Sequence, residues 1–138
     1  MSERGKIRNP EAQRVIRDYS GLRFYETITP SDIDGYVVLL DHLFFFLELK
    51  FDNAAMKPGQ QRAVTRLVDV VTHDGDEGIY IIADHWVSAG SEVEIDAAIC
   101  PVRRWYKNGR WNVTEPGKEP TVRQLMDSII ADYSRRQP

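Results

Sequence analysis

Thr29-Pro30-Ser31-Asp32-Ile33-Asp34-Gly35-Tyr36-Val37-Val38-Leu39-Leu40-Asp41-His42-Leu43-Phe44-Phe45-Phe46-Leu47-Glu48-Leu49-Lys50-Phe51 is the stretch on which the fold turns. Two apolar runs, Gly35 to Leu40 and Leu43 to Phe51, flank Asp41-His42 and read as a hairpin of strands. A half-exposed sheet alternates apolar with polar residues, but both runs are apolar at nearly every position. The pair is therefore expected to lie centrally in a sheet covered on both faces, in a two- or three-layer α/β sandwich. Three charges interrupt this apolar background: Asp34 at the mouth of the first strand, and Glu48 and Lys50 two apart on the second. Unpaired charge is costly to bury, so apolar strands carry it for a reason.

Upstream, Asn9-Pro10 supplies an N-cap and a first-turn proline. Ala12, Val15, Ile16, Tyr19 and Leu22 then recur at helical spacing, which predicts a first helix over about 10–20 that ends near Gly21. A short extended piece, Phe24 to Thr29, leads to Pro30. Downstream, Pro58-Gly59 opens a second helix, with Ala63, Val64, Leu67, Val68 and Val71 on its core side, ending before His73-Asp74-Gly75. Ile79 to Ala83 reads as a short buried strand. Glu92 to Cys100 alternates at first, which makes Glu92, Glu94 and Asp96 the solvent face of a strand. Asn108-Gly109 between Trp105-Tyr106 and Arg110-Trp111 signals a type I′ hairpin. Thr121 and Gln124 form a capping box for a final helix carrying Val122, Leu125, Met126, Ile129, Ile130 and Tyr133.

With 138 residues, 42% hydrophobic and 28% charged, the chain is expected to be one globular domain, with its core over about 9–83 and a C-terminal hairpin and helix over about 92–135. Leu43 to Leu47, one of its longest wholly apolar runs, is far short of a bilayer span, so no membrane partner and a soluble, cytoplasmic protein are expected. Cys100 is the sole cysteine, which excludes an internal disulfide and a thiolate metal cluster. A net charge of −3 argues against a broad nucleic-acid-coating surface. The charge is uneven, however. Basic residues gather before Glu26 and again at Arg103, Arg104, Lys107 and Arg110, whereas Asp69 to Asp96 holds neither lysine nor arginine.

A divalent cation would explain two carboxylates and a lysine on one apolar hairpin. Such an oxygen site suits Mg²⁺ or Mn²⁺, and the lysine can orient a water for attack on a phosphodiester. Register tests the idea. Side chains alternate along a strand, so a two-residue loop at Asp41-His42 would pair Asp34 with Leu49 and turn it away from Glu48 and Lys50. A working site requires an odd loop such as Leu40-Asp41-His42, or a bulge, which sets Asp34 opposite Glu48.

These residues resemble the PD-(D/E)XK nuclease superfamily, in its resolvase-like and phage or prophage branches. The match is Ser31-Asp32-Ile33-Asp34-Gly35 for the first acid and Glu48-Leu49-Lys50 for the second element, over roughly residues 9–83. The resemblance implies an α/β fold with a mixed central sheet flanked by helices. Its restriction-endonuclease-like αβββαβ core would be followed here by the added C-terminal hairpin and helix. It implies a Mg²⁺-dependent deoxyribonuclease with Asp34, Glu48 and the Leu49 carbonyl as metal ligands, Lys50 positioning water and Gln61 helping. The small size and the resolvase-like branch imply selectivity for branched, flapped or end-containing DNA, and dimerisation through the C-terminal helix is one way to address two strands. Ser31 stands where the family has proline. Asp32 shares the parity of Asp34 and competes with it for the ligand position; Glu11, Glu26 and Gln60 are further auxiliary candidates.

For Asp34, Glu48 and Lys50 the plainer explanation is a structural ion-pair network. For Arg62 and Arg66 it is a solvated helix face, set against phosphate contact. The hairpin from Arg103 to Trp111 mixes bases with aromatics, which suits phosphate and base contact through Arg104, Lys107 and Arg110, joined by Arg14 and Arg17. Its plainer explanation is a cross-strand aromatic pair. His42, His73 and His85 are too dispersed for a zinc set, and Cys100 reads as a small buried hydrophobe. The alternative function, from another class, is a catalytically silent nuclease fold, phage-encoded, that binds or regulates a protein through its acidic middle.

Overall fold

The computed structural model describes residues 20–23, 25–26, 33–88 and 90–138. The chain divides into two compact units, Met1–Ser31 and Asp32–Pro138. In the first, Ser20–Leu22 forms a 3-10 turn. Tyr25 and Glu26 have φ of 53° and 72°, so at these two positions the backbone turns and the expected extension of Phe24 to Thr29 does not hold. The expected helix over 10–20 falls outside the described residues except for Ser20, and Glu11, Arg14, Arg17 and Asp32 lie outside them altogether.

The second unit is an α/β sandwich with a five-stranded mixed sheet and two helices. Its elements are β1 (Gly35–Leu39), β2 (Leu43–Phe51), α1 (Pro58–Val71), β3 (Glu77–His85), β4 (Val102–Lys107), β5 (Arg110–Val113) and α2 (Val122–Arg136). The strands lie side by side in chain order, all neighbours antiparallel except β2 and β3, which α1 connects in parallel. A parallel pair needs such a crossover.

Alternation sorts the strand side chains onto two helices. Leu43, Phe45, Ile79, Ile81, Ala83 and Val102 pack with Val122, Leu125, Ile129 and Tyr133 of α2. Phe46, Tyr80 and Ile82 pack with Val64 and Val68 of α1. Gly78 allows α1 its close approach, since a Cβ there would sit 2.7 Å from Val71 Cγ2 and 3.1 Å from the Val68 carbonyl oxygen. The α1 terminus is tied to the same place by Thr72 Oγ1, which donates to Val68 O at 2.8 Å and accepts from Gly78 N at 3.0 Å. α2 starts on the expected capping box, Thr121 Oγ1 accepting from Gln124 N and Gln124 Oε1 accepting from Thr121 N.

Two expectations are corrected. β2 is interior, but β1 is the outer strand of the sheet and exposes Tyr36, Val37 and Val38, so an unbroken apolar run does not here signify cover on both faces. Residues 92–96 form no strand, and Val93 and Ile95 are exposed along with the acids beside them. The acid-rich run has no partner strand, because β4 already occupies the edge of β3. Asp96 instead caps a 3-10 turn at Ala97–Ile99 by accepting from Ala98 N. The I′ hairpin is present, with Asn108 and Gly109 at φ 52° and 76°. No helix among the described residues is long and apolar enough to cross a membrane.

Candidate active site

The β1–β2 connection decides whether the charges meet. Leu39 pairs with Leu43, leaving the three-residue loop Leu40-Asp41-His42, with Leu40 and Asp41 at φ 54° and 60° and His42 N bonded to Leu39 O. Gly35 consequently pairs with Leu47, and the next position along places Asp34 opposite Glu48, as the odd loop requires. Asp34 Oδ2 accepts from the Leu49 backbone N at 2.7 Å, which ties the first acid to the strand carrying the second.

Glu48 is only 5% exposed. Its Oε1 lies 3.5 Å from Lys50 Nζ, and its Oε2 accepts from Gln60 Nε2 at 3.1 Å. Burial, and after it the charge of Asp34, holds the Glu48 carboxyl above the ordinary carboxylate range, while Lys50 and Gln60 pull the other way. Two carboxylates, one lysine and one carboxamide therefore converge where β2 ends and α1 begins, at the carboxyl end of a parallel strand. Open α/β sheets place their ligand sites at such ends.

Gln60 is the glutamine on Glu48. Gln61 instead accepts from Arg104 Nη2 at 2.7 Å, and the Arg104 guanidinium lies 4.2 Å from the centroid of the Trp111 ring. Arg104 pairs across the sheet with Ile82, and Ile82 with Glu48, so Arg104 stands in the same cross-sheet row as the acid. Lys107 is brought to the other end of the sheet, 3.2 Å from Glu77, which also binds Arg136. Arg110 sits exposed on the hairpin, and Arg62 and Arg66 are exposed on α1. The hairpin aromatics are packed inward: Trp105 onto the α2-side core, Tyr106 and Trp111 onto the α1 side with their rings 5.3 Å apart. Glu26 is exposed in the first unit.

Two residues missed in the sequence belong to this region. Asp84, opposite Lys50 in the β2–β3 register, binds Arg103 through both oxygens and accepts from Asn53 N, while Arg103 Nη1 donates to Ala54 O. An acid closing the apolar run Ile79 to Ala83 was the available signal. A bulge between Ile82 and Ala83 opposes Arg103 to no single residue and so turns Arg103 and Arg104 to different partners at this end of the sheet. Tyr80 is the other: fully buried, its hydroxyl has no hydrogen-bond partner among the described residues, and burial, then Glu48 and Asp34, push its ionisation upward. Nothing in the local sequence marks it.

Among the described residues no group of three or more His, Cys, Asp or Glu side chains is placed to hold a metal ion. The donor set on offer is sparser, Asp34, Glu48 and the Leu49 carbonyl, and consists of oxygen throughout. An apolar hollow of about 200 Å³, lined by Val37, Phe45, Leu47, Ile81, Val122 and Met126 among others, opens on the α2 side of the sheet, away from these groups. Compared with protein-family models, characterised proteins and solved structures, the chain matches none of them.

Proposed function

We propose that the chain is a metal-dependent nuclease that hydrolyses DNA phosphodiester bonds, with a restriction-endonuclease-like core of the PD-(D/E)XK type. The observation that carries the reading is the register: a three-residue loop with two left-handed residues sets Asp34 opposite Glu48, on the strand where Lys50 shares the face of Glu48. A salt-bridge network alone gives no reason to bury a carboxylate whose ionisation is opposed by a second carboxylate beside it. An all-oxygen set with two carboxylates suits Mg²⁺, which binds through one or two carboxylates and keeps several waters. Asp34, Glu48 and the Leu49 carbonyl would hold it; when bound, such an ion supplies Lewis-acid activation of water and of the phosphoryl oxygen.

The residues of the chain do the rest. Lys50 orients the attacking water and takes part in its proton transfer. Gln60 fixes the rotamer of Glu48, taking the helper position that sequence reading assigned to Gln61. Asp34, held by the Leu49 amide, keeps β1 and β2 in register through the site.

The test is cleavage of labelled linear, flapped and four-way-junction DNA with Mg²⁺ or Mn²⁺, with Glu48→Ala and Lys50→Ala beside the wild type. The expected result is metal-dependent cutting, reduced about 1000-fold or more in each variant, with preference for a branched or flapped substrate. A wild type that cuts nothing and melts at one temperature with and without metal overturns the reading and moves the search to a protein partner.

A further inference from the structure

The two arginines at the β4 bulge have opposite circumstances. Arg103 is neutralised, its guanidinium divided between both oxygens of Asp84 and the Ala54 carbonyl. Arg104 makes no ion pair among the described residues. Its Nη2 donates to a neutral amide, Gln61 Oε1, its face lies on Trp111, and its buried Nε has no hydrogen-bond partner among the described residues. A part-buried cation with neutral neighbours carries a desolvation cost that an anion would offset. Its place in the sheet tells which anion. Two strand spacings, about 10 Å, separate the Arg104 and Glu48 backbones, and the adjacent residues Gln60 and Gln61 bridge that interval from above. Arginine only donates, so the atom facing it must be the Gln61 oxygen, and the Gln61 NH2 is left as the donating end.

We propose that Arg104 and Gln61 form a phosphate clamp beside Glu48, with Trp111 as the platform that holds the guanidinium. The clamp rests on the nuclease reading and specifies its substrate contact: the phosphate held is one of the nucleic-acid backbone, next to the carboxylate pair. Arg104 supplies the charge, and Gln61, oriented by Arg104, a second donor. Two anionic carboxylates repel a phosphodiester, and Lys50 is already engaged by Glu48. The clamp provides the compensating charge at this end of the sheet.

Affinity for a short fluorescent DNA duplex, measured in Ca²⁺ over a series of NaCl concentrations, tests this without turnover. For Arg104→Met the slope of log affinity against log salt is expected to be shallower by about 0.9, the share of one phosphate contact. Arg104→Lys keeps the slope and binds more weakly, since the stacked, forked geometry is lost but the charge is not. Gln61→Glu serves if Arg104→Met fails to fold, because a carboxylate there pairs with Arg104, spares the packing and produces the same loss of slope. A wild-type slope in Arg104→Met and Gln61→Glu, from a wild type that binds and cuts DNA, overturns the clamp and leaves the nuclease reading standing. A wild type that neither binds the duplex nor cuts it with Mg²⁺ overturns the nuclease reading, and the clamp with it.

Discussion

The two faces of the sheet are built from the same strands and answer different demands. Towards α2, Leu43, Phe45, Ile79, Ile81 and Val102 meet Val122, Leu125 and Ile129 in a hydrocarbon contact, and the buried carboxylate on that face, Glu77, is paired with Lys107 and Arg136. Towards α1, the same strands present Glu48, Tyr80 and Arg104 among Phe46 and Ile82. That side holds a buried carboxylate with raised ionisation and, among the described residues, a buried hydroxyl without a partner and a guanidinium nitrogen without one. Such groups cost stability in a folded chain. The α2 face offsets that cost, and the contrast explains how a small sheet sustains a polar site.

Ile81 and Ile82 provide the sharpest way to break this contrast: adjacent on β3, 1% and 0% exposed, they point to opposite faces. Ile81→Ala enlarges the apolar hollow that Ile81 lines and is expected to cost about 4 kcal/mol. Ile82→Ala opens space beside Glu48 and Arg104, where water can enter and hydrogen-bond, and is expected to cost about 2 kcal/mol. Chemical denaturation of both variants decides it. Equal costs, or the reverse order, remove the distinction between the faces.

Glu48 allows the next test, smaller and opposite in sign. Its folded ionisation is raised, so the folded state holds the proton more tightly than the unfolded chain does. Its contribution is therefore unfavourable above the folded value and is relieved as pH falls through it towards the ordinary carboxylate range. In a metal chelator at neutral pH, Glu48→Gln is expected to raise stability by about 1 kcal/mol, a rise in Tm of about 3 °C. The gain shrinks as the pH is lowered and the wild-type carboxyl protonates. A Tm that falls at neutral pH would mean that Lys50 and Gln60 already outweigh the cost of burial.

The strand hairpin, α1, the I′ turn and the capping box of α2 were legible because each depends on neighbours in the sequence: periodicity, Asn-Gly, Thr with Gln three residues on. The candidate site was legible for a related reason, since charges on an apolar strand are conspicuous and the loop length fixes the parity of Asp34. What stayed hidden depends on pairing between distant segments. The bulge that releases Arg103 to Asp84 and the contact of Arg104 with Gln61 arise from the β3–β4 register, of which neither strand alone carries a mark. β1 shows the limit of the apolar-run argument, because Tyr36 to Val38 has the composition of an inner strand and the position of an outer one.

The smallest effect comes from a hydroxyl. Tyr80 and Tyr106 face each other across β3 and β4, and each meets the Trp111 ring, at 6.1 Å and 5.3 Å. They differ in what the oxygen meets: Tyr106 Oη donates to Asp69 Oδ1 at 2.9 Å, whereas Tyr80 Oη is buried with no partner among the described residues. Removing a buried, unsatisfied hydroxyl relieves its desolvation cost, and removing a bonded one loses the bond. Tyr80→Phe is therefore expected to stabilise by about 0.5 kcal/mol and Tyr106→Phe to destabilise by about as much. Thermal melts of the two variants side by side show the sign directly. A Tyr80→Phe that destabilises would mean that this hydroxyl is satisfied in solution, and the α1 face would then carry one fewer of the costs that set it apart from the α2 face.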